Sequence, residues 1–132
     1  MKTISLAEAP AVIRQHLTAV NAFDLEGILA TLSEDAYVND NAREIRGRSA
    51  VRAFFAKELL GDSVTIDPVE VLEHHGDIIV RGRYEGTYDK TNLPAVLIMS
   101  NYFAVRDGRI VSLAIIFNRP SPYDDHAHSV GR

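Results

Sequence analysis

Apolar side chains in the first third of the chain recur at helical spacing. Ala9, Val12, Ile13, His16, Leu17 and Val20 fall at i, i+3, i+4, i+7, i+8 and i+11, one face of a single helix. Asn21 and Asp24 punctuate that pattern, and Asp24 is placed to cap a second short helix running through Leu25, Ile28, Leu29 and Leu32. A short alternating run, Ala36 to Asp40, reads as a strand. Gly47 and Ser49 then introduce a third helix carrying Val51, Phe54, Phe55 and Leu59, with Ser49 as the expected N-cap.

From Gly61 onward the pattern changes from period 3.6 to runs rich in β-branched and aromatic residues. Four of them, 63–74, 78–88, 95–106 and 109–117, are separated by His75-Gly76-Asp77, Lys90-Thr91-Asn92 and Asp107-Gly108. Asp-Gly between two apolar runs is a strong hairpin signal, and connections this short join antiparallel neighbours. Pro68, Gly82 and Gly86 stand where such long strands bend or bulge. Helices first and strands second predict an α+β domain: a curved antiparallel sheet wrapped around three N-terminal helices, with a pocket at its open end. The expected domain spans 1–122, with 123–132 a loosely held tail.

Composition narrows the chemistry. In 132 residues there is no cysteine, which excludes disulfides, thiolate nucleophiles and Cys-bound zinc. The formal charge of −4 gives no general attraction to nucleic acid or anionic lipid, and Arg43, Arg46, Arg48 and Arg52 are interleaved with Asp40 and Glu44. No window reaches the roughly 18 apolar residues of a membrane span, and the N-terminal stretch, interrupted by Glu8, makes a poor signal peptide. The expected address is the cytoplasm, without nucleic-acid or membrane partners. No phosphate loop, dinucleotide fingerprint, His-Glu-x-x-His or Gly-x-Ser-x-Gly motif is present, and no cofactor is expected. His126 and His128 with Asp124 and Asp125 are read as a solvated tail and not a metal site.

Three polar residues stand out because they share a face with apolar ones. His16 lies on the apolar stripe of the first helix; it is either a core histidine bonded within the protein or a donor into the pocket. Asp40 has the strand parity of Ala36 and Val38. It either stabilises the turn into Asn41 or faces the cavity, where desolvation would make it a better base. Asn101 has the parity of Leu97, Met99 and Phe103, and is either a structural strut or an amide donor to a ligand.

The segments Asp24 to Asp40, Gly47 to Phe55 and Gly108 to Phe117 resemble the second helix and first strand, third helix and last strand of the bacterial ketosteroid isomerases. These belong to the nuclear transport factor 2-like, or SnoaL-like, superfamily. The resemblance implies that Asp40 is the proton-shuttling carboxylate, and that His16 and Asn101 stand where those enzymes place their two donors to the enolate oxygen. Two of the three positions depart from the isomerase residues, and Leu32 and Phe55 replace supporting tyrosines.

The implied activity is therefore proton transfer beside a carbonyl: isomerisation, cyclisation or dehydration of a small hydrophobic carbonyl compound. Val38, Phe54, Phe55, Val80, Tyr84, Met99, Phe103, Leu113, Ile115 and Phe117 would line the walls. A pocket that holds a hydrophobic ligand without chemistry is the alternative, with the outward-facing Arg81, Arg83, Glu85 and Thr87 serving assembly. A homodimer is implied by the resemblance.

Overall fold

A computed structural model describes residues 1–117. Seven strands form one sheet: β1 (Lys2–Ile4), β2 (Leu32–Asp40), β3 (Arg43–Ile45), β4 (Thr65–His74), β5 (Asp77–Glu85), β6 (Leu97–Arg106) and β7 (Arg109–Phe117), in the order β1-β4-β5-β6-β7-β2-β3. Helices α1 (Ala11–Asn21), α2 (Leu25–Ala30) and α3 (Arg48–Phe54) carry most of the apolar stripes expected of them, but Ala9 lies before α1, as the C-cap of the 3-10 turn Leu6–Glu8, and Phe55 and Leu59 lie beyond α3. The curved, mostly antiparallel sheet around a few helices is the α+β architecture that the hydrophobic pattern predicts. The proposed tail and its histidines lie outside the described residues.

Hairpin chemistry accounts for much of the sheet. Asp107 and Gly108 both adopt positive φ, 50° and 74°, the backbone of the tight turn that Asp-Gly favours. Alternation then sorts the faces. On β6, Leu97, Met99, Asn101 and Phe103 point inward and are buried, while Tyr102 is exposed. On β4 one extra residue, Val69, interrupts the pairing between Pro68↔Gly82 and Glu70↔Arg81, and bends the sheet where proline and glycine face each other.

Several expectations change. The second helix stops at Ala30, so that Leu32 starts β2 and does not end α2. The third helix is entered through Gly47 at φ 89°, with no side-chain cap; Ser49 already lies inside the helix. Arg48 fixes that entry instead, donating 2.9 Å to the Leu29 carbonyl. Strands β1 and β3 had no sequence assignment. Finally, β2 runs parallel to β7. No hairpin joins these two strands, so nothing local constrains their relative direction.

The core lies between the concave face and the helices. Ile13, Val20, Ile28, Leu32, Phe55 and Ile110 are completely enclosed, each contributing about 1.5–3 kcal/mol of hydrophobic stabilisation. Asn21 closes the end of α1 against β4 by a reciprocal pair, Nδ2 donating to the Ile66 carbonyl at 2.9 Å and Oδ1 accepting from the Ile66 amide at 2.8 Å. After Phe54 the third helix widens into a π-helical turn, Phe55–Leu60. Its wider ring closes with Gly61 N–H on the Ala56 carbonyl at 3.0 Å. This turn carries Glu58 and Leu59 to the open end of the sheet.

Candidate ligand site

At that open end is a cavity of about 260 Å³. Its inner wall is apolar and buried: Phe54, Leu59, Val64, Leu97, Met99 and Ile115, together with the ring of Tyr84. Tyr88, Leu93 and Phe117 continue the wall outward, and Asp40, Asn41, Glu58 and Asp62 form its polar part.

Asp40 and Asn41 are sequence neighbours, and on a regular strand they would point to opposite faces. Both line the cavity because β2 ends between them. Asn41 and Ala42 take positive φ, 51° and 73°, making the two-residue turn into β3. The Asn41 amide is oriented by its surroundings. Its Oδ1 accepts from the Phe117 backbone N–H at 2.7 Å, and its Nδ2 donates to Asp40 Oδ1 at 3.1 Å. Among the described residues nothing takes its second amide hydrogen. Sequence reasoning missed Asn41; the available signal was an asparagine, a residue tolerant of the left-handed region, directly after a candidate carboxylate.

The other oxygen of Asp40 is paired. Arg43 Nη2 lies 2.8 Å from Asp40 Oδ2, and Arg43 also binds Glu58 through Nη1 at 3.0 Å. These two carboxylates, Glu58 first, stabilise the guanidinium charge and raise its proton affinity further. The Asp40 side chain is 23% exposed, so the carboxylate is at the cavity mouth, neither sealed in nor fully solvated. Arg46 and Arg48 are engaged elsewhere, with Glu44 and with backbone carbonyls.

His16 and Asn101 are not part of the cavity lining. Thr31 Oγ1 gives its hydrogen to the Ile28 carbonyl at 2.6 Å, so the 2.9 Å contact between His16 Nδ1 and Thr31 Oγ1 is a bond donated by the imidazole. The ring packs edgewise on Phe55 and Phe103, and burial pushes its pKa down to about 4. This is the core-histidine alternative; the expected donor role finds no geometric support. Asn101 donates Nδ2 to the Val80 carbonyl at 3.0 Å and to the Met99 carbonyl at 3.4 Å, and accepts from the Tyr84 hydroxyl. It is a strut whose contact with the site runs through Tyr84.

Of the ten wall residues expected, Phe54, Tyr84, Met99, Ile115 and Phe117 line the cavity. Val38, Phe55, Val80, Phe103 and Leu113 have the inward parity assigned to them but belong to the packed core. Strand parity specifies a face and says nothing of depth along it. Glu58, Leu59, Asp62, Val64, Tyr88, Leu93 and Leu97 complete the lining and were not anticipated.

The fold is a small α+β domain with an apolar cavity and a carboxylate at its lip. A SnoaL-like domain model matches residues 13–113, and the chain belongs to that family, within the nuclear transport factor 2-like superfamily. The fold is similar to that of a Sinorhizobium meliloti protein described as a candidate polyketide cyclase (20% identity, TM-score 0.74, covering 85% of this chain and 99% of that one). It is also similar to TerC co-crystallised with polyporic acid (20%, 0.68, 89% and 94%). A third similar structure is a Mycobacterium tuberculosis protein in complex with estradiol-17β-hemisuccinate (20%, 0.70, 84% and 95%). At these identities the likeness is one of fold.

Proposed function

We propose that the cavity binds a small hydrophobic carbonyl compound and that Asp40 moves a proton at the carbon beside the carbonyl, in isomerase- or cyclase-type chemistry. The observation that carries this reading is the pairing of Asp40 and Asn41 at the lip of an otherwise apolar wall. Asp40 would accept the proton, and the remaining Asn41 amide hydrogen would meet the negative charge developing on the carbonyl oxygen. The structurally similar cyclase candidate and the aromatic and steroid ligands of the other two similar structures are in keeping with such a substrate. We place the protein in the cytoplasm, as a homodimer.

The test is deuterium exchange into 2-tetralone, a bicyclic ketone with acidic α-hydrogens, followed by proton NMR. Asp40→Asn keeps the shape and removes the base, so accelerated exchange is expected to fall about 100-fold or more. Asn41→Ala removes the donor and should cost a comparable factor. Undiminished exchange in Asp40→Asn would eliminate the mechanism. The second reading, ligand binding without chemistry, draws on the Asp40–Arg43 ion pair, which occupies one carboxylate oxygen.

A further inference from the structure

The hydrogen-bond directions around Tyr84 specify which kind of polar group the inner wall can receive. Both amide hydrogens of Asn101 are spent on backbone carbonyls, those of Val80 and Met99. Turning the amide over would set its oxygen against those same two oxygens, so the orientation is forced. Asn101 therefore presents its carbonyl to Tyr84, and the single phenolic hydrogen goes to it. Gly82, on the same face between Tyr84 and Val80, carries no side chain to obstruct that bond.

What Tyr84 has left is acceptor capacity. Among the described residues no group donates to its phenolic oxygen, although the side chain is buried and lines the cavity. Burial, and then the charge of Asp40, hold the phenol well above its ordinary range, so it stays neutral and keeps its hydrogen on Asn101. The Asp40 carboxylate is likewise an acceptor. A ketone oxygen directed at Tyr84 would face lone pairs.

We propose that the ligand carries, apart from any carbonyl, a hydroxyl group that donates to Tyr84 Oη, so that the site selects phenols or enols. Tyr84 is thereby a specificity-determining residue. The inference rests on the cavity being a small-molecule site, and it does not require Asp40 to act as a base.

Calorimetric titration of the full chain with 2-naphthol and with its isostere 2-methylnaphthalene tests it. The hydrocarbon is the more hydrophobic of the two, so an apolar cavity without an acceptor would prefer it. The naphthol is expected to bind at least about five-fold more tightly to the wild type. That preference should vanish in Tyr84→Phe and persist in Asp40→Asn. Equal binding by wild type, or a preference lost in Asp40→Asn and kept in Tyr84→Phe, would overturn the proposal while leaving a hydrophobic site intact. If neither compound binds, the small-molecule reading falls with it. Should Tyr84→Phe fail to fold, the preference must persist in Asp40→Asn, Glu58→Gln and Asp62→Asn alike, the carboxylates of the lining; its loss in any one of them would overturn the proposal.

Discussion

Arg43 joins Asp40 to Glu58: one guanidinium nitrogen is 2.8 Å from Asp40 Oδ2, and the other is 3.0 Å from Glu58 Oε2. The bridge links the end of β2 to the π-helical turn after α3, and the two meet at the cavity mouth. Arg43 is half exposed, so the pair is an adjustable contact and contributes little to stability.

Removing that cation tests whether Asp40 must be held in place. In Arg43→Leu the Asp40 carboxylate loses its ion-pair partner at 2.8 Å, and the rate of α-proton exchange at pH 7 is expected to fall about ten-fold. NMR exchange rates of the two proteins read this directly. An unchanged rate would mean that Arg43 does not position the proton acceptor.

His16 makes stability depend on pH. Its pKa in the fold is about 4, below the 6.5 of a free imidazole, because burial disfavours the cation. The unfolded chain therefore takes up a proton that the folded chain refuses. The contribution is complete above pH 6.5 and is lost as pH falls toward 4. At about 1.4 kcal/mol per pH unit it amounts to on the order of 3 kcal/mol. Urea unfolding at pH 7 and pH 4.5 should show that loss in the wild type and a smaller one in His16→Met. An identical loss in both would show that His16 is not responsible.

The outer face of the sheet bears on assembly. The expected contributors Arg81 and Arg83 are paired within the sheet, Arg81 with Glu70 at 3.0 Å and Arg83 with Glu85 at 3.8 Å. Beside them Tyr102 and Ile116 are exposed, on adjacent strands and diagonal to one another. Diagonal cross-strand neighbours lie within reach of an aromatic side chain. If the chain forms a homodimer through these residues, Tyr102→Glu and Ile116→Glu should each shift the mass measured by light scattering from dimer to monomer. A wild type that is monomeric at tens of micromolar removes the idea.

The sequence by itself determined most of the elements and their faces, though not β1, β3 or the start of β2. The stripe from Val12 to Val20, the Asp24 cap, the Asp-Gly turn and the inward parity of Asp40 and Asn101 are local properties, set by backbone geometry over a few residues. The tertiary structure decided depth, direction and hydrogen-bond accounting. Parity could not separate Phe103 in the core from Met99 on the cavity wall, since that depends on what α3 and its π-helical turn cover. Strand direction between β2 and β7 was open because no short turn joins them. The polar residues were settled last. His16 found Thr31, Asp40 found Arg43, and Asn101 spent its amide on two carbonyls and took the Tyr84 hydroxyl hydrogen on its oxygen. A buried polar group takes the partners that folding brings within about 3 Å, and those partners come from elsewhere in the chain.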